Sequence, residues 1–177
     1  LGDVYKRQDY GSALRKILKF NEKTTGYIEE RKSEMNLPVD YIAVHIRRGD
    51  KIVSREMKEL GLSLYIDAVK GKKHISRNVF IATDDSSVKD ELKSILVAEG
   101  FNVYCNTAVT QTGFDESLFN TKDKKSRYID TLNMLLDMDI LIHSSFFIGT
   151  YTSNVSRIVP LYVGFGKSLS LDDEWKL

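Results

Sequence analysis

Three short stretches of this chain combine residue types that could handle a phosphorylated ligand. The first is His45-Ile46-Arg47-Arg48-Gly49-Asp50-Lys51, the second Thr83-Asp84-Asp85, and the third Thr150-Tyr151-Thr152-Ser153-Asn154 with Arg157 one helical turn on. Two arginines and a lysine together concentrate cationic donors, and one guanidinium can grip two phosphate oxygens at once. Gly49 gives the backbone room to turn. The bland alternative is a solvated charge run with one arginine paired to Asp50; Arg48-Gly49-Asp50 also spells an adhesion tripeptide, which would need an exposed loop tip. Asp84 and Asp85 suit the ribose or base of a nucleotide, unless Asp85 merely caps the helix that follows. The third stretch offers hydroxyls and N–H groups at a helix start, an arrangement that receives anions, although Ser and Thr are common caps.

The elements that would position these residues can be read from apolar patterning. Leu14, Ile17, Leu18, Tyr27, Ile28 and Met35 recur at helical spacing between Tyr10 and Met35, with an interruption expected near Thr24-Thr25-Gly26, and Pro38 ends the region. Val39–Ile46 is a nearly continuous, β-branched-rich run of strand length, as a parallel sheet covered on both faces requires. Further strands are predicted at Asn78–Asp85, Phe101–Cys105, Ser145–Thr152 and Leu161–Val163. Helices are predicted at Leu62–Val69, Ser86–Glu99 and Ser126–Ile142, with a helical turn over Ser153–Val159 and a long polar loop over 106–124. This alternation predicts an α/β fold, a Rossmann-like parallel sheet with flanking helices. All three polar stretches then follow strands, at the edge where open parallel sheets bind ligands. The expected division is a helical lead-in over 1–38 and a Rossmann-like domain over 39–177.

Composition narrows the function classes. The 177 residues are 42% hydrophobic and 29% charged, enough for one ordinary core, and 26 Lys+Arg against 25 Asp+Glu leave a formal charge of +1. Such balance argues against a nucleic-acid backbone as the main partner. Cys105 is the single cysteine, so no internal disulfide or cysteine metal cluster is possible. No apolar run approaches the roughly 18 residues of a membrane span. The chain lacks an initiator Met and a signal stretch, and both ends read as cuts, the expectation for a fragment of a longer protein.

Taken in order, HIRRGDK, VFIATDD, GTYTSNVSR and SLDD, from Tyr41 to Asp173, resemble the superfamily of alpha-1,6-fucosyltransferases, NodZ and protein O-fucosyltransferases. The resemblance implies the GDP-fucose-binding C-terminal domain of a two-domain, GT-B-type glycosyltransferase. Within it Arg47 would hold the donor diphosphate, with His45 and Lys51 beside it and Arg48 and Asp50 in the same motif. Asp84 and Asp85 would lie near the guanosine. Thr150, Thr152, Ser153, Asn154 and Arg157 would complete the donor site, with Thr152 standing where the family usually has serine. Asp137, thirteen residues before Thr150, matches a nucleotide-contacting aspartate, with Asp130 as its rival on the same helical face. The family's catalytic base maps to Glu56, nine residues before Tyr65, with one inserted residue after Lys51; Glu59 is the fallback.

That likeness further implies transfer of fucose from GDP-fucose to a glycan or protein acceptor hydroxyl with inversion, most like alpha-1,6-fucosylation. No metal is expected. Arg47 and Lys51 can neutralise the leaving diphosphate, whereas Asp137-Met138-Asp139, formally a D-x-D pair, lies on an apolar-striped helix rather than after a strand. Expected partners are GDP-fucose, the acceptor and the missing N-terminal domain. Eukaryotic relatives work in the Golgi or endoplasmic-reticulum lumen and the bacterial one in the cytoplasm, so the compartment stays open. A non-catalytic nucleotide-sugar-binding module is the alternative. A kinase-like or sulfotransferase-like enzyme is disfavoured, because no G-x-x-x-x-G-K-[ST] loop occurs. Asn154-Val155-Ser156 is formally a glycosylation sequon, but a glycan there would block the donor site, so the match reads as accidental. His74 and His143 lack ligand-spaced partners.

Overall fold

The computed structural model describes residues 2–17, 19–55 and 57–175. Two helices, α1 (Gly2–Ile17) and α2 (Glu22–Met35), precede β1 (Ile42–Ile46), followed by α3 (Asp50–Val53), α4 (Leu62–Gly71) and β2 (Asn78–Thr83). Then come α5 (Ser86–Ala98), β3 (Asn102–Cys105), α6 (Glu116–Thr121), α7 (Lys124–Ile142), β4 (Phe146–Gly149), α8 (Asn154–Val163), a 3-10 turn and β5 (Ser168–Ser170). The five strands form one parallel sheet in the order β3-β2-β1-β4-β5. Because β1 feeds β2 on one side while β4 lies on its other side, the connections reverse direction between β1 and β4. A crevice opens at such a switch point, beyond the strands' carboxyl ends.

The central strands are apolar on both faces because helices cover both. Ile42, Val44 and Ile46 face one layer with Tyr65 and Val69 of α4 and Leu92 and Leu96 of α5. Ala43, Phe80 and Phe147 face the other, with Leu136 and Ile140 of α7 and Val159 of α8. Ile28 of α2 enters this second core, so the helical lead-in packs on the sheet domain rather than standing apart.

Three local expectations are corrected. The helical interruption falls at 19–21, not at Thr24-Thr25-Gly26: Asn21 caps α2 by accepting from Thr24 N at 2.9 Å, and Gly26 is mid-helix. Leu161–Val163 is not a strand but the last turn of α8, whose end is held by Arg15 Nη1 donating to Leu161 O at 3.1 Å. The fifth strand is Ser168–Ser170 instead, a short polar segment that only pairing with β4 makes a strand. Finally, the long loop over 106–124 contains α6, capped by Asp115 accepting from Leu118 N at 3.0 Å.

Candidate functional site

The run after β1 leaves the sheet as a tight turn into α3. Gly49 has φ +72, and a Cβ there would stand 2.3 Å from Phe114 O and 2.5 Å from Phe114 N. Gly113, at φ +83, is its counterpart, with a virtual Cβ 2.6 Å from Gly49 Cα. Two glycines at positive φ therefore let the 107–115 loop cross the β1–α3 loop backbone to backbone, in conformations that side chains seldom tolerate. Asp50 N donates to Phe114 O at 2.9 Å across the crossing.

Asp84, at the end of β2, organises this crossing. Its Oδ1 accepts from Arg48 N at 2.7 Å and its Oδ2 from Phe114 N at 2.9 Å, while Arg47 Nη1 lies 3.1 Å from Oδ2. One carboxylate thus joins both loops and orients the arginine. Arg47 Nη2 also donates to Asp50 Oδ1 at 2.8 Å, and the guanidinium lies 4.9 Å from the Phe114 ring centroid. Asp50 Oδ2 in turn accepts from Glu116 N at 3.3 Å. Two carboxylates and an aromatic face therefore fix the Arg47 plane. A cavity of about 520 Å³ adjoins this arrangement, lined by Asp50, Val53, Phe114, Leu118, Phe119 and Lys122 among others.

Arg48 does not join Arg47 in one cationic patch. Its side chain is buried, donates from Nη2 to Leu60 O at 2.8 Å and lies 3.5 Å from Glu59 Oε1, so it braces the chain entering α4. This also places Glu59 in an ion pair. Lys51 is in the short α3 next to Asp50. Glu56 lies outside the described residues. Asp85 takes the capping role at α5, accepting from Ser87 N at 2.9 Å and Val88 N at 3.2 Å. Burial pushes its carboxyl up, but the Ser87 hydroxyl together with these two N–H groups outweighs it and holds the carboxyl below the ordinary range.

On the opposite face of β1, His45 is buried, and its Nδ1 shares a 2.7 Å hydrogen bond with Ser156 Oγ of α8. Burial first, and then the Arg47 charge, push its pKa down to about 3, so the imidazole is neutral at neutral pH. Ser156 is fully buried in this contact. Thr150 and Ser153 are buried in the β4–α8 turn, with Ser153 N donating to Thr150 O at 3.0 Å, while Thr152 and Asn154 are exposed. Arg157 is one turn into α8, and its carbonyl accepts from the Trp175 indole N–H at 2.8 Å. Just ahead of α8, the N–H groups of Tyr151 and Thr152 are taken by Asp172, at 2.7 and 3.2 Å, while the helix itself begins at Asn154 after the N-cap Ser153, with no side-chain cap. Sequence reasoning noted SLDD but gave Asp172 no role; its position in a short polar string after the last strand was the available signal.

The two rival aspartates of α7 differ sharply. Asp137 has a buried Oδ1 without a hydrogen-bond partner among the described residues. Desolvation pushes its pKa up to about 7, only partly offset by Asn106. Asp130 is instead paired with Lys122 Nζ at 2.7 Å. Asp139 is engaged by Lys32 at 3.1 Å and by His143 at 3.5 Å, so Asp137 and Asp139 do not converge. Among the described residues no group of three or more His, Cys, Asp or Glu stands together as metal ligands do, and no helix is long and apolar enough to cross a membrane.

The fold and this site can be set beside known proteins. The chain is similar to NodZ alpha-1,6-fucosyltransferase co-crystallized with GDP, at 21% identity and a TM-score of 0.54 over 82% of this chain and 43% of that one. Fucosyltransferase NodZ from Bradyrhizobium gives 22% identity and a TM-score of 0.53, with the same coverage. POFUT1 in complex with GDP gives 16% identity and a TM-score of 0.58 over 89% of this chain and 48% of that one. The chain thus spans less than half the length of these solved structures. No curated protein sequence matches it. The profile of alpha-(1,6)-fucosyltransferase N- and catalytic domains matches residues 10–160, most of the chain, and so the chain belongs to the alpha-(1,6)-fucosyltransferase family.

Proposed function

We propose that this domain binds GDP-fucose at the crevice between β1 and β4 and serves a fucosyltransferase that delivers fucose to an acceptor hydroxyl. The observation that carries the reading is Arg47, oriented at the carboxyl edge of the sheet by Asp50 and Asp84 at 2.8 and 3.1 Å. An arginine already ordered there can exchange one carboxylate partner for a diphosphate oxygen without first losing side-chain freedom. Asp137 and His45 are suited to the base end: Asp137 brings an acceptor with an open oxygen, and guanine offers N–H donors to such a carboxylate. The solved relatives NodZ and POFUT1, crystallized with GDP or GDP-fucose, agree with this choice of donor.

In the reaction, the acceptor oxygen attacks the anomeric carbon of fucose as the bond from that carbon to the diphosphate oxygen breaks. The hydroxyl proton passes to a carboxylate, assigned to Glu56 on the sequence match, and GDP leaves with one more negative charge. Attack from the face opposite the leaving group inverts the centre. Arg47 and Lys51 stabilise the charge that develops on GDP, the work a divalent metal would otherwise do. Metal-independent, inverting transfer, most like alpha-1,6-fucosylation of a glycan or glycoprotein, is the reading this supports, with acceptor binding shared with a further domain of the same enzyme.

The test is fucose transfer from GDP-fucose to a glycan acceptor panel by the full-length protein, with and without excess chelator, alongside GDP calorimetry. GDP binding with transfer that survives chelator is the expected result. GDP binding without transfer to any acceptor would favour the non-catalytic module, and loss of transfer in chelator would refute the metal-free route.

A further inference from the structure

The segment after β5 carries a carboxylate that the donor chemistry above does not use. Pairing of Gly149 with Ser170, and Leu171 N donating to Gly149 O at 2.9 Å, bring Asp172 against the β4–α8 turn. Its Oδ1 accepts from Tyr151 N at 2.7 Å and from Ser170 Oγ at 2.7 Å. Its Oδ2 accepts from Thr152 N at 3.2 Å and from the Thr152 hydroxyl at 2.5 Å. Ser170 Oγ also accepts from Tyr151 N at 3.1 Å. One side chain therefore engages two successive backbone N–H groups and a hydroxyl of the turn that contains Thr150 and Ser153. Burial pushes the Asp172 pKa up, but bonds from Thr152, Ser170, Asp173 N and Tyr151 N outweigh it and hold the carboxyl below its ordinary range.

A second tie acts on the same helix. The Trp175 indole donates to Arg157 O and packs edge-on against Phe165, with centroids 5.4 Å apart. The segment after β5 thus grips the turn that leads into α8 and α8 itself one turn in. The turn's Tyr151 and Thr152 N–H groups are occupied by an internal anion held by neutral donors, whereas Arg47 is a cation held by anions. The two sides of the crevice are complementary in what they can still accept.

We propose that Asp172 is a positioning residue for the donor: it locks the β4–α8 turn so that Thr150 and Ser153 meet the bound nucleotide sugar. This rests on the donor site proposed above. The alternative, that Asp172 occupies a phosphate's place and must leave when donor binds, predicts the opposite sign on its removal.

Asp172→Asn in the full-length protein keeps the shape but removes the charge and one acceptor. The expected result is a rise of about tenfold in the KM for GDP-fucose with kcat within about twofold, and GDP binding weakened to match. Hydrogen exchange should accelerate in the peptide spanning 150–153 and remain unchanged in β1 and β2. Ser170→Ala, a milder change to the same network, should shift KM the same way by about two- to threefold and keeps the test open if the first variant does not fold. Unchanged or tightened GDP binding in the folded variants overturns the positioning role while leaving the donor site standing. Failure of the unaltered protein to bind GDP overturns both. A fall in kcat at constant KM would also refute it, since a locked binding turn acts on donor affinity.

Discussion

The β1–α3 loop and the β4–α8 turn leave neighbouring parallel strands at the same edge of the sheet but are built on opposite electrostatic plans. The first presents a cation, Arg47, whose two carboxylate neighbours hold its plane, with side-chain exposures of 20% for Arg47 and 11% for Asp84. The second presents hydroxyls and backbone N–H groups gathered around the Asp172 carboxylate. In the donor site proposed above, an incoming diphosphate meets a preformed cation on one side, where it can replace an anion already present. On the other side it meets a turn whose Tyr151 and Thr152 N–H groups are engaged.

This contrast can be broken by experiment, beginning where the effect should be greatest. If the β1–α3 side carries the chemistry, Glu56→Gln should lower turnover by about 10²–10⁴ while leaving most GDP affinity intact. Undiminished turnover would move the base elsewhere. Arg47→Ala should weaken GDP binding by roughly 1.5–3 kcal/mol, the scale of hydrogen bonds to charged groups, and reduce turnover as well. Calorimetry giving the parental affinity would dissolve the distinction between the two loops. Gly49→Ala should destabilise the fold by about 1–3 kcal/mol in denaturant titration, because its φ of +72 and the 2.3 Å approach to Phe114 O exclude a Cβ. A neutral result there would mean that the loop crossing is not needed to hold Arg47.

The smallest effect concerns pH. Asp137 has a folded-state pKa raised to about 7, above its unfolded value of 3.8. Its contribution to stability is therefore greatest below about pH 4 and is lost as pH rises through 7. GDP, if it uses the ionised carboxylate, shifts the balance the other way. Affinity should rise by about tenfold between pH 6 and 8 and then level, and Asp137→Asn should flatten that dependence. A pH-independent affinity in the unaltered protein would remove Asp137 from the base site.

Much of this architecture could be read from local pattern alone. The β-branched-rich runs at Ile42–Ile46 and Asn78–Thr83 are strands because their residues are nearly all apolar, interrupted only by His45 and flanked by Asn78 and Thr83, which suits burial on both faces. Motif order then put Arg47, Asp84 and Ser153 after strands, since a parallel sheet brings all carboxyl ends to one edge. What pattern could not reveal depended on distant partners. Leu161–Val163 is apolar and short enough for a strand, and it became helix because α8 continues through Pro160 and packs against the sheet. Ser168–Ser170 has no strand signal of its own and becomes one only beside β4. Arg47 and Arg48 are adjacent and chemically identical, yet one faces Asp50 and Asp84 and the other Leu60 and Glu59, because successive residues leaving a strand point to opposite sides. Asp84 holds Arg48 N from 36 residues away, and Asp172 holds Tyr151 N from 21. Residue types and their order determined the chemistry available to this chain; the tertiary structure decided which groups remain open to a ligand, because hydrogen-bonding capacity is finite and contacts made across the sheet consume it before any ligand arrives.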